Sequence, residues 1–174
     1  MSRDPSSGGG NPKSIAQIFQ LNSLADLDKA VETLLSAMPA RSLVLISGPL
    51  GVGKTKTVEV FLRKLGYEGA SSPTFALHQA YKIRTRNVES QVDHFDLYRI
   101  ESDDDLASAG FWDVLEKKSG LVFVEWAERL TGAAPDGSRK QTSRSFFAPG
   151  WEVLFLNFSW NGQSRQLEAH WQAS

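Results

Sequence analysis

Residues 48 to 55 carry the clearest chemical pattern in the sequence. They read Gly-Pro-Leu-Gly-Val-Gly-Lys-Thr, which matches the spacing G-x-x-x-x-G-K-[ST] of a phosphate-binding loop. Glycines let the backbone wrap a polyphosphate, and the helix that follows such a loop directs its positive N-terminal end at the same anion. Lys54 would then reach the β- and γ-phosphates, and the Thr55 hydroxyl would bind Mg²⁺. The predicted nucleotide-binding residues of this segment are Gly48, Leu50, Gly51, Val52, Gly53, Lys54, Thr55 and Lys56.

Two carboxylates each follow an apolar or extended segment. Glu125 comes directly after the apolar run at 121–124, and Asp96 follows the extended segment at 92–95. A phosphate-loop site needs a carboxylate at the end of a neighbouring strand to organise Mg²⁺, which predicts Glu125 as a metal residue. Asp96 could accept a proton from water or orient a metal-bound water. The alternatives are that Glu125 merely ends a strand and that Asp96 forms an Asx turn or a helix cap.

The elements around the loop have the patterns that the motif requires. The continuous apolar run Leu43–Ile46 predicts a strand buried on both faces, and residues 54–65 predict a helix. Strand, glycine loop and helix together form half of a βαβ unit. Upstream, Ser23 caps a segment whose apolar residues recur every three or four positions until Pro39, which predicts an amphipathic helix.

The remaining segments complete a predicted α/β fold. A hairpin is expected from two extended segments at 75–83 and 88–95, and a two-piece helix at 102–118 is broken at Gly110. Residues 121–124 predict a second buried strand, and residues 131–150 read as a loop. A closing hairpin is expected around Asn161-Gly162.

Composition narrows the class of protein. The 174 residues carry a net charge of −1, contain no cysteine and include three histidines without metal-binding spacing. These values exclude a disulfide framework, a thiolate nucleophile and a cysteine zinc site, and they disfavour a polycationic nucleic-acid binder. No apolar run is long enough for a membrane span, so a soluble cytoplasmic protein is expected. We expect residues 1–13, rich in Ser, Gly and Pro, to be a disordered leader, and residues 14–174 to be a single phosphate-loop domain.

Several separated segments together resemble the TsaE family. The matching segments, in the family's order, are GPLGVGKT at 48–55, SPTF at 72–75, HFDLYR at 94–99 and VEW at 124–126. The resemblance spans about residues 20 to 130. It implies a P-loop NTPase-like fold, with a mostly parallel sheet, flanking helices and an antiparallel extension.

The resemblance also implies a function. The family consists of small bacterial ATPases that serve synthesis of tRNA N6-threonylcarbamoyladenosine at the adenosine next to the anticodon. They bind ATP and Mg²⁺, and hydrolyse ATP slowly when alone. They support or reset a TsaB–TsaD transferase complex, and the resemblance implies that they act on tRNA indirectly, through that complex.

Site residues carried over from the family fall on matching positions. Lys54 and Asp96 become the catalytic residues, and Glu125 joins Thr55 at the metal. Thr74 lies in a switch-like loop near the γ-phosphate, and its alternative is a turn hydroxyl bonded to its own backbone. Trp126 would lie beside the nucleotide, and its alternative is a place in the core.

The chain departs from the family at two loop positions, and two other functions stay open. Pro49 stands where an acidic residue is common, and Lys56 stands where a second threonine is common. A small P-loop kinase is one alternative, although the acidic stretch 101–116 would repel phosphates from a lid. The other is a nucleotide-dependent binding switch with negligible hydrolysis, which the sequence does not separate from a slow ATPase.

Overall fold

The protein is described by a computed structural model that covers residues 16–70, 73, 76–85, 88–130 and 150–172. Its strands are β1 (Gln17–Leu21), β2 (Arg41–Ser47), β3 (His78–Thr85), β4 (Val88–Asp96), β5 (Gly120–Glu125), β6 (Glu152–Asn161) and β7 (Ser164–Trp171). Its helices are α1 (Leu24–Ser36), α2 (Lys54–Lys64), α3 (Asp103–Ser108) and α4 (Phe111–Leu115), and a 3₁₀ turn spans Ala127–Arg129. No helix in these described ranges is long and apolar enough to cross a membrane.

These strands form one mixed sheet in the order β1-β7-β6-β2-β5-β4-β3. The central strands β6, β2, β5 and β4 run parallel, whereas β3, β7 and β1 are added antiparallel at the two sides. The prediction of a mostly parallel sheet with flanking helices and an antiparallel extension is confirmed. In register, Glu125 at the end of β5 lies opposite Ile46 of β2 and Asp96 of β4. The carboxyl ends of these three strands therefore meet at one edge of the sheet.

Apolar residues of β2 serve two cores at once. Val44 and Ile46 belong to the core on the face that α1 and α2 cover, whereas Leu43 and Leu45 belong to the core under α3 and α4. Successive side chains of a strand point to opposite faces, so a strand with helices on both sides has no polar face. This two-sided burial explains the continuous apolar run that predicted β2.

Most element predictions are confirmed. The Ser23 side chain accepts the hydrogen bond of the Asp26 N–H and caps α1, as the sequence indicated. Gly110 adopts a left-handed conformation between α3 and α4, which is why the predicted helix comes in two pieces. The closing hairpin is formed by β6 and β7, with Asn161 paired to Ser164.

One prediction needs correction, and one strand was not predicted. The first strand of the β3–β4 hairpin begins at His78, not at residue 75, because the N–H groups of Ala76 and Leu77 both bond to the Pro73 carbonyl in a turn. Strand β1 was missed because only Leu21 of its five residues is buried, which leaves no alternating pattern. The predicted leader at 1–13 and most of the predicted loop at 131–150 lie outside the described residues.

A buried carboxylate ties the β3–β4 hairpin to the segment after α4. Asp93 is 3% exposed and has three partners: His78 Nε2 at 2.9 Å, the Gln91 amide at 2.8 Å and the Lys117 ammonium at 2.9 Å. Burial acts to raise the pKa of Asp93, but the three hydrogen bonds together outweigh it and hold the pKa below the ordinary 3.8. The ionised form therefore stabilises the fold.

We predict that Asp93→Asn lowers the free energy of unfolding at pH 7 by about 1–3 kcal/mol, because it removes the charged carboxylate that accepts the buried hydrogen bonds. A depressed folded-state pKa gives stability that is present above the unfolded pKa and lost as pH falls through the folded one. The difference from wild type should therefore shrink below about pH 4. Urea unfolding from pH 3 to 7 measures this, with Glu116→Gln, at an exposed acid, as the control. A difference independent of pH would contradict the assignment.

Candidate functional site

The loop between β2 and α2 is held by the two strands at the C-terminal end of the chain. A Cβ on Gly48 would lie 2.7 Å from both the Cβ and the carbonyl oxygen of Phe158 on β6, so only glycine fits there. On β7, Arg165 Nη1 donates to the Val52 carbonyl at 3.3 Å. The closing hairpin therefore supports the outer side of the loop.

The loop forms one wall of a cleft of about 370 Å³ at the carboxyl edge of the sheet. The other walls come from the ends of β4 and β5, so three separated sequence segments meet here. The lining residues are Leu50, Gly51, Gly53, Lys54, Thr55, Lys56, Asp96, Tyr98, Glu125 and Trp126. All but Tyr98 were predicted as site residues.

Two of the described residues that were predicted for the site, Gly48 and Val52, are not part of this lining. Gly48 contributes its carbonyl oxygen to Lys54, and the side chain of Val52 is packed in the core. A role for these two would therefore use backbone groups. Thr74 lies outside the described residues, so its predicted place near the γ-phosphate stays a prediction.

Lys54 carries a nearly buried charge at the floor of the cleft. Its Nζ donates to the carbonyl oxygens of Gly48 at 2.7 Å and Pro49 at 3.0 Å, and lies 3.4 Å from the centroid of the Trp126 ring. Burial lowers the pKa of Lys54, and the nearby carboxylates of Glu128, Glu125 and Asp96 oppose that shift. Within the described ranges no carboxylate lies within 4 Å of this ammonium. The ammonium is thus suited to bind an anion that enters the cleft.

Thr55, on the first turn of α2, is joined directly to Glu125. Its Oγ1 donates to Glu125 Oε2 at 2.8 Å, and the other carboxylate oxygen lies 2.8 Å from His94 Nε2. Among the described residues there is no cluster of three His, Asp or Glu side chains that would hold a metal ion by itself. Mg²⁺ binds proteins through one or two carboxylates and takes its other ligands from water and phosphates. The oxygen donors of Thr55 and Glu125 fit that requirement.

Asp96 forms the Asx turn that the sequence offered as one alternative, and it also lies at the cleft. Its Oδ1 accepts the Tyr98 N–H at 3.0 Å, which is the bond of an Asx turn, and its side chain also lines the cleft. This turn brings Tyr98 to the cleft, where the ring packs 4.9 Å from that of Trp126. Sequence reasoning did not place Tyr98 at the cleft, because a residue just past a strand end can face either way.

Trp126 and Lys56 each make a contact that the motif does not contain. Trp126 has a left-handed backbone, with φ 57°, and its ring both covers Lys54 and packs partly against the core. Lys56 forms an ion pair with Glu59 one turn along α2. The charge of Lys56 is therefore shared with a helix neighbour rather than directed only at the loop.

Comparison with known proteins identifies the family of this chain. A family model described as threonylcarbamoyl adenosine biosynthesis protein TsaE matches residues 21–146, which is more than half of the chain. This chain belongs to the TsaE family. The resemblance inferred from the four motifs is thereby confirmed.

Named relatives are similar over the same region. The tRNA threonylcarbamoyladenosine biosynthesis protein TsaE of Rickettsia conorii is 33% identical over 110 residues, which is 62% of this chain and 59% of that protein. The protein of the same name from Synechocystis sp. is 33% identical over 115 residues, or 64% of this chain and 71% of the relative. The match thus spans less than two thirds of the Rickettsia conorii protein.

A solved structure supports the fold. The crystal structure of Bacillus subtilis YdiB superposes with a TM-score of 0.56 at 18% identity, over 89% of this chain and 84% of that one. At this identity the similarity concerns the fold alone. It confirms the P-loop NTPase-like α/β architecture of this TsaE-family chain.

We predict that Gly48→Ala destabilises the protein by about 2–4 kcal/mol, because the new Cβ overpacks against β6 and the backbone is left-handed. The matched control is Gly51→Ala, which has φ +76° but no atom within 4 Å of the new Cβ. That change should cost only about 1–2 kcal/mol, from the backbone conformation alone. Urea unfolding of both variants measures the difference, and equal losses would contradict the close approach of the loop to β6.

Proposed function

We propose that this chain is a Mg²⁺-dependent ATPase subunit of the machinery that makes tRNA N6-threonylcarbamoyladenosine. In this role it binds and slowly hydrolyses ATP to support or reset a TsaB–TsaD-like transferase complex, and it reaches tRNA through that complex. The observation that carries the proposal is the convergence of Lys54, Thr55, Asp96 and Glu125 in one cleft of a TsaE-family chain. The names of the relatives supply the pathway.

Phosphate binding would use the backbone and one cation. Helix α2 begins at Lys54, so the first N–H groups of the helix lack helical partners and face the loop. The Lys54 ammonium adds a mobile point charge, which a polyphosphate would draw away from the carbonyls of Gly48 and Pro49. Trp126 covers this cation, and Tyr98 packs against Trp126, so the two rings would exclude water beside it.

Two further side chains complete the proposed chemistry. Thr55 and Glu125 would hold Mg²⁺, which when bound neutralises charge that develops on the transferred phosphoryl group. Asp96 would orient the attacking water or accept its proton, as a carboxylate fixed at one oxygen by the Tyr98 N–H. Among the described residues that line the cleft, none is an arginine. In this enzyme class, hydrolysis without an arginine at the phosphates is slow until a partner supplies the missing charge.

The direct test is phosphate release from Mg-ATP by the purified chain, alone and with a TsaB–TsaD-like pair from the same organism. We expect slow turnover alone and a marked rise with the pair. Nucleotide binding without any stimulation by the pair would contradict the proposed partnership. The same assay without Mg²⁺ should show no turnover, which tests the metal requirement separately.

We predict that Lys54→Ala weakens binding of a non-hydrolysable ATP analogue about 100-fold or more, because charge-assisted hydrogen bonds to phosphate are lost. Isothermal titration calorimetry measures the affinity. Lys82→Ala, at an exposed lysine of β3, is the matched control and should bind the analogue as the wild type does. Unchanged affinity in Lys54→Ala would overturn the assignment of the loop as a nucleotide site.

We predict that Asp96→Asn lowers the rate of hydrolysis about 10²–10⁴-fold and leaves analogue affinity within a few-fold of wild type. Single-turnover phosphate release and calorimetry separate the two effects. The variant also distinguishes an ATPase from a binding switch in a reconstituted tRNA modification assay. If modification continues while hydrolysis is lost, nucleotide binding alone suffices and the ATPase role is wrong.

A further inference from the structure

A buried histidine lies directly beneath the cleft. His94 is on β4, two residues before Asp96, and is only 1% exposed. It does not line the cleft, so it cannot touch a nucleotide there. Its Nε2 lies 2.8 Å from Glu125 Oε1, and both side chains are nearly inaccessible to solvent.

Hydrogen-bond chemistry settles which ring nitrogen carries the proton. An ionised carboxylate only accepts hydrogen bonds, so Nε2 of His94 must donate to Glu125. The other nitrogen, Nδ1, is buried and has no hydrogen-bond partner among the described residues. The contact with Glu125 therefore assigns a proton to Nε2 of His94.

Glu125 is held at both ends of its carboxylate. His94 donates to Oε1 and the Thr55 hydroxyl donates to Oε2, each at 2.8 Å. The terminal torsion of a glutamate is broad when nothing restrains it, so these two bonds fix an orientation that the side chain would not hold by itself. A hydroxyl that gives its proton to Glu125 keeps its lone pairs for another partner.

We propose that His94 is a positioning residue for the metal site: it holds Glu125 against Thr55, so that the Thr55 oxygen presents its lone pairs to a divalent cation. This inference rests on the proposed function, because it concerns the cation that would enter with the nucleotide. His94 acts only through Glu125. Groups that orient metal ligands in this way typically change metal affinity 10- to 100-fold when they are removed.

The same hairpin provides a matched control. His78, on β3, also bonds a buried carboxylate, Asp93 on β4, at 2.9 Å. Asp93 and His94 are consecutive residues of β4, so their side chains point to opposite faces of the sheet. Loss of the His78 bond therefore removes a histidine–carboxylate pair of the same type without touching Glu125.

The experiment measures Mn²⁺ affinity by electron paramagnetic resonance, in the presence of a non-hydrolysable ATP analogue. We expect His94→Phe, which keeps the ring volume and loses the donor, to bind Mn²⁺ about 10- to 100-fold more weakly than wild type. His94→Gln places an amide donor at a similar reach and should recover most of that loss. His78→Phe should bind Mn²⁺ as the wild type does, and analogue affinity without metal should be the same in all variants.

The outcomes separate this inference from the proposed function. If His94→Phe binds Mn²⁺ as the wild type does, or if His94→Gln is no better than His94→Phe, the positioning role is wrong. If the wild type itself binds no Mn²⁺ with the analogue, the proposed function fails at its metal requirement. Should His94→Phe not fold, ¹⁵N NMR of histidine in the wild-type protein decides. The Nε2–H tautomer of His94 supports the inference, and the Nδ1–H tautomer overturns it.

Discussion

Parallel pairing of β2, β5 and β4 is the constraint on which the site depends. The register places Ile46, Glu125 and Asp96 side by side at the carboxyl edge. A shift of one residue in any of these strands would turn its side chains to the other face of the sheet. The phosphate loop leaves β2 at this same edge, so the loop and both carboxylates meet without long connections. In open α/β sheets the crevice at the carboxyl ends of the strands is the usual place for a ligand.

The cleft is also where the fold departs from rules that favour stability. Lys54, Asp96 and Glu125 are all nearly buried, although charged side chains rarely are. Removing charged groups from water is costly, and proteins retain buried charges mainly where function requires them. The same edge holds the left-handed backbone of Trp126. By contrast, the buried Asp93 on the other face of the sheet has three hydrogen-bond partners and stabilises the fold.

Sequence reasoning was most successful where a local pattern is compatible with only one or two kinds of structure. The apolar run of β2, the cap at Ser23 and the glycine at 110 each have few alternatives, and each was predicted. The loop motif was predicted together with Glu125 and Asp96 at strand ends, and these residues supply most of the cleft lining. The missed features depend on pairing between distant segments. Strand β1 exists because β7 offers it an edge, and His94 contacts a glutamate 31 positions away in the chain.

The contact between Arg165 and Val52 joins residues 113 positions apart in the chain. Together with the packing of Phe158 against Gly48, it places the support of the phosphate loop at the far end of the polypeptide. During synthesis the loop leaves the ribosome before β6 and β7 exist, so its contacts with Phe158 and Arg165 cannot yet form. Contacts between such distant residues form late, since the intervening chain must first be ordered. The supported conformation of the loop is therefore completed only after β6 and β7 have joined the sheet.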